Sequence, residues 1–433
     1  MSSSVHHLDQ ESQQRPWDVV VIGAGAAGLF AATAAAQRGR SVLLLEKNRK
    51  LGVKILISGG TRCNLTHHTD ARGILAAFPK SQAKFLRTAI HALPPTKVVE
   101  LVEREGVETK AEATGKIFPV SDRAIDVRDA LAARLHRSGA KTQPATSVQE
   151  ILHENETFRI VTDLQELQAH RVIIACGGQS YPGCGTTGDG YQWARAFGHK
   201  IVQPVPALTP IKSSDAWLHA LQGMTLSDVQ VTVVTSDSLR DLHSIPKSAV
   251  LDTRRGSLLF THFGVSGPSA LDASRAITRA SEPRNVALLA DFLADVSYDE
   301  CVAQWRARIA NQGRAAVKTI LAERHQRRLA ESLMALCQID PTHKLAELSK
   351  ANISRLVQHE KRCPIHVTGT QGFAKAEVTS GGVALGEVDS KTMQSKRVPG
   401  LYFVGEVLDI DGPIGGYNFQ AAFSTGWLAG SHV

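Results

Sequence analysis

The chain has 433 residues and no apolar run approaching the roughly 20 residues that a membrane-crossing helix needs, so no helical span is expected. Its richest apolar stretch, AAGLFAATAAA at 26–36, is built of small residues and reads as a helix lying close on a sheet. The six cysteines (Cys63, Cys176, Cys184, Cys301, Cys337 and Cys363) include no C-x-x-C pair and no metal-ligand spacing. That pattern argues against a disulfide framework or a metal site and fits a reducing cytoplasm. The first sixteen residues, MSSSVHHLDQESQQRP, lack the cationic and apolar regions of a secretory signal and read as a disordered tail. No internal repeat or low-complexity segment is evident. Basic residues outnumber acidic ones 49 to 41, for a formal net charge of +8, yet they are spread along the chain. Only AERHQRRLAE at 322–331 forms a local run, and it lacks the interleaved aromatics on which nucleic-acid bases stack. It reads as a solvated helix face, and nucleic acid is not an expected partner.

What is present is a soluble composition, 43% hydrophobic and 21% charged, long enough for two or three domains. From Trp17 the order is strand, glycine turn, helix, strand, acid. Val19 to Ile22 reads as a buried parallel strand, and Gly23-Ala24-Gly25-Ala26-Ala27-Gly28 opens a helix. Ser41 to Leu45 then forms a second strand ending in Glu46. In such a unit the first glycine permits the tight turn, the second lets the backbone approach a pyrophosphate, and the third lets the helix lie close on the strand. The helix N-terminus offers free N–H groups to the phosphates. Glu46 is placed to accept hydrogen bonds from a ribose, and its charge would repel a 2′-phosphate. A second G-x-G-x-x-G, at 183–188, follows Tyr181-Pro182 rather than a strand. It reads as a turn before a helix starting near Asp189, so a single Rossmann nucleotide site is expected.

Three further segments separate this chain from an NAD-dehydrogenase pattern: LGVKILISGGTRCN at 51–64, VIIACGGQS at 172–180, and GLYFVGEVLDIDGPIGGYNFQAAFSTGWLAG at 400–430. Together with FTHFGVSGPSALDAS at 260–274 and AEVTSGGVALGEVDSKTMQSK at 376–396, they make the chain resemble the two-dinucleotide-binding flavoproteins. The closer resemblance is to the bacterial FAD-dependent oxidoreductases that include aminoacetone oxidase and the dehydro-bile-acid reductases. It extends from Trp17 onward, with two departures: Thr61 where a third glycine is usual, and Gln394 where glutamate is usual. The resemblance implies a non-covalent FAD wrapped by Lys54 to Asn64. Ser58, Gly59, Gly60 and Thr61 would lie near the pyrophosphate, and Arg62, Cys63 and Asn64 toward the flavin. Ala175, Gly177 and Gly178 belong to the Ala-x-Gly-Gly strand, and Gly405 and Glu406 to the ribityl chain. Gly415, Gly416, Asn418 and Phe419 mark the start of a helix aimed at the flavin pyrimidine edge. Ala26, Ala27, Lys47 and Val148 complete the expected cofactor set. His262, Tyr417 and Cys63 are the candidates for catalytic side chains, each in or beside one of these motifs.

The expected fold class is α/β: a Rossmann-like FAD-binding domain (17–200 and 373–433) split by a β-barrel-like substrate domain (201–297 and 363–372). That domain carries a helical insertion (298–362). The short β-rich runs at 201–297 and the long helical stretches at 298–362 support this division. The expected function is hydride transfer between flavin N5 and a small organic substrate, with NAD(P)H as the electron donor of a reductase. Two alternatives stay open: an oxygen-using amine oxidase, and a flavoprotein acting on RNA.

Overall fold

The computed structural model describes residues 15–433, so the expected tail lies, up to residue 14, outside the described residues. The fold is organised around a seven-stranded sheet. Trp17–Ile22 pairs in parallel with Val42–Leu45 on one side and with Glu166–Ile174 on the other, and Lys141–Gln143 extends the sheet beyond Val42–Leu45. The apolar, β-branched strands are buried on both faces, as parallel strands between helical layers must be. Glu166–Ile174 changes neighbours along its length. Its first half pairs with Thr157–Thr162, and its second half, Val172 to Ile174, pairs with Leu401–Phe403 from near the other end of the chain.

The small-residue helix, Ala26–Gln37, is buried along nearly its whole length because it is covered twice. It lies on the sheet, and the C-terminal helix Tyr417–Gly430 lies across it. A Cβ on Gly426 would stand 2.2 Å from the Ala27 carbonyl oxygen, so the two backbones meet at a distance only glycine allows. Phe30 and Phe423 fill the remaining interface, with ring centroids 4.6 Å apart.

The chain between 211 and 370 forms a closed antiparallel barrel. Its order is Ile211–Ser213, Gly264–Ser266, Val250–Thr261, Thr225–Thr235, Val286–Asp291 and Cys363–Thr370. Helices Tyr298–Gln312, Val317–Arg324, Arg327–Leu336 and Lys350–Arg362 are inserted between its last two strands and share one apolar core with it. The strand Ile201–Ala207, read from sequence with the β-rich module, pairs instead with Val378–Val383, a two-stranded link outside the barrel. Among the described residues no helix is long and apolar enough to cross a membrane, and no His, Cys, Asp or Glu cluster could hold a metal.

Candidate FAD and substrate site

A cavity of about 630 Å³ runs from the glycine turn after the first strand to the start of the C-terminal helix. The turn is built by local register. Gly23 N–H donates to Leu45 O (2.8 Å), and Ala175 N–H to Ile22 O (2.8 Å). A Cβ on Gly28 would lie 1.8 Å from the Gly23 oxygen, whereas one on Gly25 would meet nothing within 4 Å. Gly28 thus serves close packing, and Gly25 leaves its backbone open to an approaching phosphate. Glu46 is buried and already held: its carboxylate accepts from the Ala24 N–H (2.8 Å), the Asn48 N–H (2.9 Å) and the Asn48 side-chain amide (2.8 Å). A carboxylate has about four lone-pair sites, so capacity remains for a ribose hydroxyl.

The segment 52–64 closes over this turn. Lys54 Nζ donates to Glu406 Oε2 and to Ser180 Oγ, each at 2.6 Å. Glu406 Oε1 in turn accepts from Ser180 Oγ (2.6 Å) and from the Thr379 N–H (2.9 Å). Four segments distant in sequence are thereby tied into one wall. Lys47 Nζ reaches Asp189 Oδ2 (2.6 Å) at the start of helix Asp189–Ala196, which begins where the sequence placed it. Thr61 takes φ 69°, a left-handed conformation that glycine adopts freely and L side chains rarely do. With Asn64 oriented by its neighbours, its amide oxygen accepts from the Gly416 N–H (2.9 Å) and its amide N–H donates to Thr66 O (3.1 Å). This joins the loop to the C-terminal helix.

The structure brings most of the expected residues to the cavity wall: Gly23, Gly25, Ala26, Ala27, Glu46, Lys47, Lys54, Ser58, Gly59, Gly60, Arg62, Asn64, Val148, Ala175, Gly177, Gly405, Glu406, Gly415, Gly416, Asn418 and Phe419. Four others stand behind it. Gly28 packs on Gly23, Gly178 packs on Thr379 and Glu406, Thr61 faces solvent, and Cys63 is fully buried. Burial pushes the Cys63 thiol up to about 12, which favours its protonated, unreactive form. Arg62 lines the cavity, but its charge is spent on Glu112 (2.7 Å) and Asp122 (3.5 Å) while its guanidinium lies over Phe118.

The other two catalytic candidates do not line the cavity. His262 is exposed beside the tight turn between two barrel strands, edge-on to Phe263, and does not line the cavity. Tyr417 stacks on His67 (centroids 4.8 Å apart) just outside the wall. The wall instead includes residues that local motifs did not disclose, notably Asn48, Lys116, Tyr181, Leu208 and Glu377. Tyr181 has φ 53°, an uncommon conformation for a bulky side chain, and is held there by its N–H to Phe373 O (2.9 Å). Burial and Glu377 raise its phenol above the ordinary value. Near the C-terminal helix, Asp272 accepts from the Ile414 N–H (2.8 Å), and burial pushes its carboxyl up to about 6. Glu377 lies in the AEVTSGGV segment that carries the resemblance, but nothing in that segment assigned it a task.

The residues present fit FAD. A glycine turn with a free helix N-terminus suits a pyrophosphate, a strand-end acid suits a ribose, and a long cavity ends at the N-terminus of a second helix. Comparison with known proteins agrees. The family model described as "HI0933-like protein Rossmann domain" matches residues 17–432. A ribosomal RNA dihydrouridine synthase of Escherichia coli is 32% identical over 412 residues, covering 95% of this chain and 96% of its own. A 3-dehydro-bile acid delta(4,6)-reductase of Clostridium scindens is 31% identical over 414 residues, covering 95% and 97%. Among solved structures, a 3-ketosteroid-delta4-(5alpha)-dehydrogenase from Rhodococcus jostii shares the fold, with a TM-score of 0.51 at 14% identity over 98% of both chains. A glycine-turn Rossmann site, a clamp loop tied to the C-terminal helix and an inserted barrel, matched over nearly the whole chain, make this protein a member of the HI0933-like family of FAD-dependent oxidoreductases.

Proposed function

We propose that this enzyme reduces a C=C bond conjugated to a carbonyl, and that its substrate is a uracil base in ribosomal RNA. The observation that carries the reading is the pair of relatives matched end to end. One is named for making dihydrouridine and the other as a delta(4,6)-reductase, and both names describe adding two hydrogens across an unsaturated bond. Bound FAD supplies the hydride, and NAD(P)H replenishes it by docking transiently, since the chain carries one nucleotide fingerprint. A cytoplasmic setting accords with such a substrate. The protein holds the FAD non-covalently through the turn at 23–28, Glu46 and the Lys54–Glu406 wall, and it presents Leu208, Val378 and Ile414 to a flat ring.

RNA is favoured over a free small molecule by where the cations are. The basic run at 322–331 is consumed internally: Arg327 pairs with Glu331, and Arg328 donates to the Ala220 and Gln222 carbonyls. By contrast, Lys375 is exposed on the loop that bonds to Tyr181 at the cavity, and Lys212 is exposed on the neighbouring barrel strand. Neither forms an ion pair among the described residues, which leaves both for phosphate.

The test is an anaerobic one. FAD-loaded protein is reduced with NADH or NADPH and then mixed with unmodified ribosomal RNA or with a conjugated 3-keto steroid. Flavin reoxidation and a gain of two hydrogens on the acceptor are followed by absorbance and mass spectrometry. RNA as the faster acceptor supports the proposal, and a steroid faster than RNA moves the substrate to the small-molecule side. Reoxidation by oxygen alone after reduction by an amine would establish the oxidase alternative.

A further inference from the structure

Every hydride added to a conjugated C=C needs a proton to follow it, and one group in the cavity wall is placed to give it. Glu377 stands where the Rossmann module meets the barrel. Its N–H donates to Leu208 O (3.1 Å), and it lines the cavity between Leu208 and Val378. The other carboxylates of the wall are engaged: Glu46 by Ala24 and Asn48, Glu406 by Lys54, Ser180 and Thr379, and Asp189 by Lys47. The Glu377 carboxyl has no hydrogen bond or ion pair to any described residue.

The groups facing it come from four elements: Lys54 from the clamp, Lys116 from the three-stranded sheet beside it, Asp272 from the barrel helix Pro268–Thr278, and Tyr181 from the strained turn. Burial raises the Glu377 carboxyl, Lys54 and Lys116 only partly oppose this, and the like charge of Asp272 adds to it. An unpaired carboxyl inside the protein is stable when it keeps its proton.

We infer that Glu377 is the proton donor of the reduction, a role that rests on the C=C reading given above. With the hydride arrived, its electron pair forms the new bond at the β carbon, and the former π pair passes to the α carbon and carbonyl oxygen. The Glu377 O–H bond then breaks and its proton forms the α C–H bond. The carboxylate left behind regains a proton from water entering past Tyr181. Asp272, held by the Ile414 N–H, adds a like charge that works with burial to favour the protonated form of Glu377.

Glu377→Gln, Glu377→Asp and Tyr181→Phe are compared in FAD-saturated enzyme reduced anaerobically. Glu377→Gln should slow flavin reoxidation by uridine-containing RNA by at least ~100-fold, the usual scale of a lost general acid. It should leave FAD affinity and the rate of flavin reduction by NAD(P)H within about twofold, since the residue serves only the proton step. Glu377→Asp should recover part of the rate. In wild type the reoxidation rate should fall as rising pH ionises the carboxyl, and Glu377→Gln should lose that dependence. Infrared spectra should show a protonated carboxyl band at pH 7 that Glu377→Gln removes. A Glu377 ionised at pH 7, or Glu377→Gln turning over at the wild-type rate while Tyr181→Phe does not, overturns the inference alone. A wild-type enzyme whose reduced flavin no conjugated C=C reoxidises overturns the functional reading and this inference with it.

Discussion

Glu360, wholly buried in the helical insertion, and Glu377, half-buried in the cavity wall, have been treated in opposite ways. Glu360 is wholly buried and surrounded by donors: Trp305 Nε1 at 2.6 Å, His325 Nε2 at 2.8 Å and Arg324 Nη1 at 3.5 Å. Burial, the largest single influence, pushes its carboxyl up, yet His325, Arg324 and Trp305 together outweigh it and hold the group below the ordinary value. Glu377 has the burial without the donors, so its carboxyl is raised. A buried acid satisfied on every side cements a module, whereas one left unsatisfied beside a cavity holds a proton for use. The number of donors aimed at each carboxyl separates the two roles, and burial alone does not.

Breaking the Glu360 cluster should have the largest effect. Glu360→Ala strands the Trp305 N–H and the Arg324 charge in the core and should cost about 3–5 kcal/mol of unfolding free energy. Glu377→Ala removes no partner and should cost less than about 1 kcal/mol. Urea denaturation of both variants checks this, and equal losses would erase the distinction.

The next effect is on pH dependence. A carboxyl raised in the folded state costs stability as pH rises from its unfolded to its folded value, because the unfolded chain releases the proton first. Asp272, at about 6, should therefore make the FAD-free protein lose stability as pH rises from the ordinary carboxyl range toward 6, and the raised Glu377 acts in the same direction. Asp272→Asn should flatten that decline, worth on the order of 2–3 kcal/mol at pH 7. Glu360 runs the other way: its contribution is present above the unfolded glutamate value and is lost as pH falls through its lower folded value. Unfolding curves measured across pH would show two slopes of opposite sign, each removed by its own mutation.

The smallest effect is at Thr61, whose φ of 69° carries the left-handed penalty. Thr61→Gly should relieve about 1 kcal/mol in the folded loop, less the entropy glycine adds to the unfolded chain. A slight rise or no change in melting temperature is expected, with FAD affinity unaltered. A clear loss of stability would show that the Thr61 side chain supports the clamp.

The nucleotide half of the site was legible because its signals are local. Strand, turn, helix and strand follow one another within 17–46, and each glycine's task can be read from its neighbours in sequence. The barrel and helical insertion were legible as changes of texture. Glu377, Tyr181 and Lys116 were not, because what makes them notable is distance: Glu377 matters through Leu208, Asp272 and Lys54, none of which lies near it in the chain. Resemblance carried His262, Tyr417 and Cys63 forward as chemistry. The structure leaves His262 exposed, Tyr417 stacked on His67 and Cys63 fully buried, so none of the three lines the cavity. The charge run at 322–331, read from sequence as a solvated helix face, instead straddles the break between Val317–Arg324 and Arg327–Leu336, with His325 buried in the break, and the overall positive charge said little about where free cations stand.

The late strand Leu401–Phe403, seated against Val172 to Ile174, has a consequence for how the protein is made. The nucleotide-binding module begins before the barrel and is completed only after it. Until residue 403 emerges, the apolar edge of Glu166–Ile174 has an open stretch, a ready template for pairing with another chain. Until 417–430 emerge, the buried helix Ala26–Gln37 lacks its cover. The barrel and its helices, synthesised in between and sharing a core of their own, can fold meanwhile. A nascent chain stalled before residue 401 should therefore bind chaperones through its nucleotide-binding module and hold no FAD, since cofactor loading must wait for residues 401–430 to emerge.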